Sequence, residues 1–222
     1  MQLRLLKHVA SRMPASWQLE IKRHLYRRQI QRDSFVTDEP EYAILDSLLS
    51  TGDWAIDVGA NIGHYTKRMS EIVGEHGRII AFEPIGDTFS LLAANLQAFR
   101  YKNVSLLNAA ASDQTGIAGM SIPHFENGMR NYYEASITTN GDGLQAMTLA
   151  IDSLCLPSAV QLVKIDAEGH ELNVLRGMTQ LLSRDKPVLI IEVSSREVDS
   201  FLEPLGYSRE TLPNSPNHIY RA

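Results

Sequence analysis

The sequence predicts an α/β fold, with a mostly parallel sheet covered by helices on both faces. Three observations carry this. Short strand-like apolar runs alternate with helix-like stretches from Trp54 onward. Runs such as Val188-Leu189-Ile190-Ile191 are apolar at consecutive positions, as strands buried on both faces are. The 222 residues are 44% apolar, enough for one large core, so disorder along the chain is excluded.

The elements follow in order. Residues 1–33 read as a basic helical appendage, with Leu6, Val9, Met13, Trp17, Ile21 and Leu25 at near-helical spacing. Pro14 should separate two short helices or begin the second one, because it cannot donate an interior helix bond. The favoured expectation is an amphipathic arm packed on the body, with Lys22, Arg23, Arg27, Arg28 and Arg32 forming a solvated basic face. The alternative is peripheral contact of residues 1–32 with anionic lipid or an acidic protein. In the body, residues 34–222, strands are expected at 54–58, 78–83, 104–107, 160–165 and 188–193. Helices are expected over 62–73, about 84–99, 168–183 and about 195–205. Residues 115–150 hold five glycines and weak periodicity, which predicts a loop-rich insertion with short strands. Asp152-Ser153 suits a capped short turn, and Gly206-Tyr207 with His218–Tyr220 suggests a final strand pair.

Charge and composition remove several functions. The total of −5 divides into +6 over residues 1–33 and −11 over residues 34–222. The acidic body argues against nucleic acid as the main ligand. One cysteine, Cys155, excludes an intramolecular disulfide and a multi-cysteine zinc site. No stretch has the ~20 apolar residues of a membrane span. Arg4, Lys7 and His8 interrupt the apolar residues that a signal peptide would need, so the expected compartment is cytoplasmic.

Ligands of such sheets bind beyond the carboxyl ends of the strands. The first strand runs into Asp57-Val58-Gly59-Ala60-Asn61-Ile62-Gly63, a tight turn edged by a carboxylate. The second ends at Glu83-Pro84, at the distance where an acidic residue takes the ribose hydroxyls of an adenosine. The dinucleotide pattern fails, because Asn61 and His64 stand where its glycines would be. No phosphate-binding Gly-Lys-Ser/Thr occurs either. Asp57 would repel a pyrophosphate but suits an ammonium and a sulfonium. These features favour S-adenosylmethionine over NAD or a nucleoside triphosphate. A second cluster, Asp166-Ala167-Glu168-Gly169-His170-Glu171, follows the fourth strand, and Glu192 ends the fifth. Glu168 and Glu171 also suit a helix N-terminus, and Asp166/Glu168/His170 is open to a metal reading, although no metal is the favoured expectation.

These residues resemble the FkbM type of class I S-adenosylmethionine-dependent methyltransferases. The similar blocks are Ile56–Tyr65, Ala81–Pro84, Asn108–Asp113 with Gly116, Lys164–Glu171 with Leu175-Arg176-Gly177, Pro187–Val193 and Leu205–Tyr207. The resemblance covers about residues 36–222 and leaves the basic arm outside. It implies a Rossmann-like seven-stranded sheet whose last strand is antiparallel. It implies a cofactor set of Asp57, Gly59, Ala60, Asn61, Gly63, His64 and Tyr65, with Glu83 and Pro84 at the ribose. Ala110, Ser112 and Asp113 would lie toward adenine, and Asp166 would also face the cofactor. It implies O-methyl transfer to a hydroxyl of a small molecule or glycan, sugar-like or polyketide-like. Asp166, Glu168, His170 and Glu192 are then expected on the acceptor side, with His170 or Glu168 as general base. Asn131-Tyr132-Tyr133-Glu134 is a further candidate to reach the acceptor. A metal-dependent O-methyltransferase, an N-methyltransferase and a non-catalytic cofactor-binding scaffold are the alternatives.

Overall fold

The computed structural model describes residues 14–123, 136–138, 143–192 and 195–222. Leu6, Val9, Met13, Val193 and the Asn131–Glu134 candidate lie outside the described residues.

The sheet comprises β1 (Trp54–Val58), β2 (Arg78–Phe82), β3 (Val104–Leu107), β8 (Val160–Ile165), β9 (Val188–Glu192), β10 (Ser208–Thr211) and β11 (Asn217–Arg221). Their order is β10-β11-β9-β8-β1-β2-β3, and β11 pairs antiparallel with both of its neighbours. This is the expected seven-stranded, mostly parallel sheet with its last strand antiparallel. Alternate side chains feed two cores. Ile56, Val58, Val163, Ile165, Leu189 and Ile191 pack beneath α5 (Glu171–Arg176), α6 (Thr179–Asp185) and α7 (Arg196–Leu202). Ala55, Ile79, Leu162 and Ile190 pack on the other face against Leu45 of α2 (Pro40–Leu48) and Met69 and Val73 of α3 (His64–Val73). The strand order reverses between β1 and β8, so their carboxyl ends open a crevice there.

The short strands expected in the insertion are present among the described residues, and they pair with Ala110–Ala111 into a second sheet. Its order is β4 (Ala110–Ala111), β7 (Leu144–Leu149), β5 (Gly116–Ser121) and β6 (Ser136–Thr138). Ile117, Leu144 and Met147 are exposed on it, so no clean apolar alternation marks these strands in the sequence.

The single helix expected over 168–183 is two, α5 and α6. Gly177 breaks it where the backbone passes so close to Ser112 that a Cβ would lie 1.9 Å from its carbonyl oxygen. The Asp152 carboxylate then accepts from Gln180 N at 2.8 Å and Leu181 N at 3.0 Å, capping α6 rather than its own short turn.

The arm also departs from expectation. After Pro14, α1 (Ala15–Gln31) packs on α4 (Gly86–Leu96) through Leu19, Tyr26 and Ile30, against Phe35, Ile62, Leu91 and Phe99. Trp17, Ile21 and Leu25, expected to pack on the body, face away and are 65%, 48% and 51% exposed. At about 100° per residue they fall opposite the Leu19/Tyr26/Ile30 stripe, so only one stripe can meet the body.

Two glycine substitutions separate packing from backbone freedom. Gly177→Ala forces a contact with Ser112 and should destabilise by about 1–3 kcal/mol. Gly86→Ala, at a helix start where a Cβ meets nothing within 4 Å, should be neutral or stabilise by up to about 1 kcal/mol. Urea unfolding midpoints check both.

Candidate active site

The crevice is built by strand ends. Past β1, Gly59 and Ala60 donate to the carbonyl of Phe82 at 3.1 and 2.9 Å, and Val58 accepts from Asp166 N at 3.1 Å. Three loops are thereby stitched together. Gly59, at φ +73°, runs so close to Asp166 that a Cβ would sit 2.0 Å from its carbonyl oxygen. The backbone freedom of this glycine serves a close approach to the neighbouring loop.

Two adjoining cavities result. One, of about 240 Å³, is bordered by Gly59, Asn61, Glu83, Pro84, Ala110, Asp166, Glu168, His170 and Glu192. The other, of about 120 Å³, is bordered by Asp57, Gly59, Ala60, Asn61, His64, Tyr65 and Asp166. Gly63, Ser112 and Asp113 border neither of these two. Gly63 instead starts α3 in a left-handed conformation, and Ser112 and Asp113 stand behind His170.

Glu83 is buried at the end of β2. Its two oxygens accept from Asn61 N at 2.8 Å and Ile85 N at 2.9 Å. Burial nevertheless pushes its carboxyl up to about 7, partly opposed by those two N–H groups. Asp57 is buried, accepts from Thr66 Oγ1 at 2.6 Å through Oδ2, and has no hydrogen-bond partner at Oδ1 among the described residues. Burial raises its carboxyl and the Lys164 ammonium partly offsets that.

Lys164 lies at the centre. Its Nζ is 3.0 Å from Asp166 Oδ2 and 4.8 Å from the centre of the Tyr65 ring. Burial alone would lower its ammonium, but Asp166 and Asp57 outweigh this and hold it above the ordinary lysine range. Burial likewise opposes ionisation of Asp166, and Lys164 with a hydrogen bond from Glu192 outweighs it, so that carboxylate is held low. The hydrogen bond with Asp166, and then burial, push the Glu192 carboxyl up to about 8. One oxygen each of Asp166, Glu168 and Glu192 lie within 4.8 Å of one another.

His170 is not part of this carboxylate group. Its Nε2 is 2.9 Å from Ser112 Oγ, which also bonds Asp113 Oδ1 at 3.0 Å. Burial lowers its imidazole pKa, with Asp113 opposing. The Asp166/Glu168/His170 grouping left open for a metal is therefore replaced by Asp166/Glu168/Glu192.

Several lining residues escaped the sequence reading. Glu39, Ile85, Met120, Ile137, Pro216 and Asn217 border the larger cavity. Ile85 follows Pro84 at the start of α4; the others come from the segment before α2, from the second sheet and from near residue 217, which no local motif joins. Glu39 accepts from Tyr65 OH at 2.6 Å. Glu41, fully buried, accepts from Ser215 Oγ at 2.6 Å and from the Asn217 amide. Lys164 was legible as part of its motif, but its burial was not.

A parallel sheet with acidic groups at its switch point defines an α/β protein of the class I methyltransferase fold. A family model described as "Methyltransferase FkbM domain" matches residues 57–210, and the chain belongs to that family. It is 31% identical over 160 residues to hexuronic acid methyltransferase AglP of Haloferax volcanii, covering 69% of this chain. The match spans 63% of the length of that curated relative. The crystal structure of methyltransferase FkbM from Methylobacillus flagellatus KT superposes with a TM-score of 0.57 at 18% identity, over 83% of this chain and 50% of that one. Aeropyrum pernix fibrillarin, solved with S-adenosyl-L-methionine bound, superposes with a TM-score of 0.50 at 16% identity, over 81% and 72% of the two chains. These two structural likenesses concern the fold.

The raised carboxyls make stability depend on pH. A glutamate carboxyl ordinarily titrates near 4.5, whereas Glu83 and Glu192 titrate at about 7 and about 8 in the fold. Between those values the folded chain keeps protons that the unfolded chain releases, so their contribution is present at pH 4.5 and is lost as pH rises toward 8. The melting temperature of the ligand-free protein should fall more between pH 5.5 and 8.5 than that of the Glu83→Gln/Glu192→Gln protein. Equal pH slopes in calorimetry would contradict this.

Proposed function

We propose that this chain transfers a methyl group from S-adenosylmethionine to a hydroxyl of a sugar-type acceptor. The observation that carries the reading is the Asp166/Glu168/Glu192 group, set beside a buried carboxylate pair of the kind a nucleoside ligand requires. The basic arm (1–33), whose helix packs on α4, is given no part in the transfer, which falls to the body (34–222).

The residues fit the cofactor. Asp57 Oδ1 is a buried acceptor without a partner among the described residues, suited to an ammonium group. Glu83 is held in place by two backbone N–H groups and keeps lone pairs for two ribose hydroxyls. Gly59, Ala60, Asn61, Gly63, His64 and Tyr65 would shape the methionine end, with Pro84, Ala110, Ser112 and Asp113 toward the base. His170, held by Ser112, belongs to that side in this reading rather than serving as the base.

When bound, the cofactor supplies an electrophilic methyl on a positively charged sulfur. The chain's own task is alignment and removal of one proton. A sugar hydroxyl is a weak nucleophile, and a base with a pKa near the working pH takes its proton most effectively. The Asp166–Glu192 pair meets this condition: Lys164 keeps Asp166 ionised, and Glu192 releases its proton at about 8. Glu168, on the same rim, would accept from a second hydroxyl of the acceptor. Among the described residues the one lysine at this rim is already paired with Asp166. A neutral hydroxyl face of a sugar therefore suits the rim better than a sugar carboxylate does.

The three-carboxylate geometry also favours a second reading, in which a divalent ion held by Asp166, Glu168 and Glu192 orients the acceptor. Dialysis against EDTA separates the two. Under the base reading turnover persists; under the metal reading it disappears and returns with magnesium or manganese.

Two further outcomes are expected, with methylated sugars read by mass spectrometry. Glu192→Gln and Glu168→Gln should bind cofactor within about threefold of the wild type by calorimetry. Glu192→Gln should lower turnover about 10²–10⁴-fold. The wild-type rate should rise with pH through an apparent pKa near 8 that belongs to the coupled pair, and this limb should vanish in Glu192→Gln. Full activity in that variant would exclude the assignment.

A further inference from the structure

The arm helix has two apolar faces, and the body uses one. Leu19, Tyr26 and Ile30 seat α1 on the body. Trp17, Ile21 and Leu25 form a second stripe that points outward and is about half exposed or more. Residues spaced four apart are offset by about 40° on a helix, so these three side chains fall within about 80° and present a single edge. Arg28 and Arg32 continue that edge toward the C-terminal end, and both are exposed. Arg27 and His24 flank it and are also exposed.

We propose that this face docks on an anionic lipid surface. Charge and area favour that occupant. The arm carries +6 and the body −11, so a negative surface attracts the arm and repels the rest, which orients the molecule before contact. Trp, Ile and Leu then enter the boundary between headgroups and acyl chains, while the arginines stay with lipid phosphates. A second copy of the chain fits less well. Three apolar side chains fall far short of the ~800 Å² per partner of a stable dimer.

The helix is also joined to the cleft. Phe35, just beyond it, is buried with its ring 4.2 Å from that of His64, and Glu39 borders the larger cavity. A membrane-bound α1 therefore holds the cleft within one short segment of the lipid surface. The inference does not depend on which acceptor is methylated.

The test uses the full chain and flotation with vesicles of neutral phosphatidylcholine, or of phosphatidylcholine with 30% phosphatidylglycerol. At 0.1 M salt the anionic vesicles should bind at least tenfold more protein than the neutral ones. Binding should fall at least tenfold in Trp17→Ser/Ile21→Ser/Leu25→Ser, and also in Arg27→Gln/Arg28→Gln/Arg32→Gln. Both proteins should keep the wild-type melting temperature and cofactor affinity. A readout without loss of binding is available too: anionic vesicles should blue-shift the tryptophan emission of the wild type, and this shift should be absent in Trp17→Leu. Equal binding to both vesicle types, unaltered binding by both triple variants, or an unshifted emission would overturn the proposal. So would a dimer in light scattering that dissociates in the Trp17/Ile21/Leu25 variant, which would assign the face to a second copy.

Discussion

The Lys164 ammonium, buried at the crevice and 3.0 Å from Asp166, is the interaction on which the site's arrangement rests. Three carboxyl groups, Asp57, Asp166 and Glu192, converge on it. Without a cation there, burial and mutual repulsion would drive protons onto all of them. With it, Asp166 stays ionised and Glu192 is left holding the shared proton. The same lysine lies over the Tyr65 ring, whose hydroxyl donates to Glu39. One buried charge thus joins β8, α3 and the segment that leads into α2. Burying such charges costs several kcal/mol per ion when they are incompletely paired. The surrounding parallel sheet, apolar on both faces, is what offsets that cost.

The crevice is closed by parts of the chain far apart in sequence. Glu41, near the start of the body, binds Ser215 and Asn217, near its end. Asn217 begins β11, the antiparallel strand inserted between β9 and β10. This strand therefore does more than complete the sheet: it brings Pro216 and Asn217 to the cavity that Pro84 and Ile85 also line. The second sheet contributes Met120 and Ile137, so the larger cavity is lined by apolar side chains as well as carboxylates. An amphipathic ligand, with a flat heterocycle and hydroxyls, matches that lining.

What was legible in the sequence follows a physical rule. The strands at 54–58 and 160–165 were readable to the residue because strands covered on both faces carry runs of apolar positions, while the edge strand at 104–107 showed through Val104, Leu106 and Leu107 despite its exposed Ser105. Asp57, Glu83, Asp166 and Glu192 were readable because strand ends in such a sheet point to one edge. Contacts made at a distance were not readable. Gly177 breaks a helix because of Ser112, on another element, and nothing around position 177 announces this. His170 stands four residues from Asp166, yet its ring turns to Ser112 instead of the carboxylates. In the arm, two apolar stripes compete, and the amino-acid pattern alone does not say which one the body takes. Tyr26 and Ile30 win because Phe35, Leu91 and Phe99 offer them a complementary surface.

The body's −11 is distributed with consequence for what the rim can recognise. Asp166, Glu168 and Glu192 converge there, while the nearby cation is already engaged. An anionic group entering this rim would meet one ionised carboxylate and a second that ionises near pH 8. Under the proposed function a hydroxyl would meet acceptors for its proton instead, and the Asp166–Glu192 pair would take the proton released on methylation. Rejection of charge and acceptance of a proton are then the same electrostatic arrangement, set by one lysine that cannot neutralise three carboxylates at once.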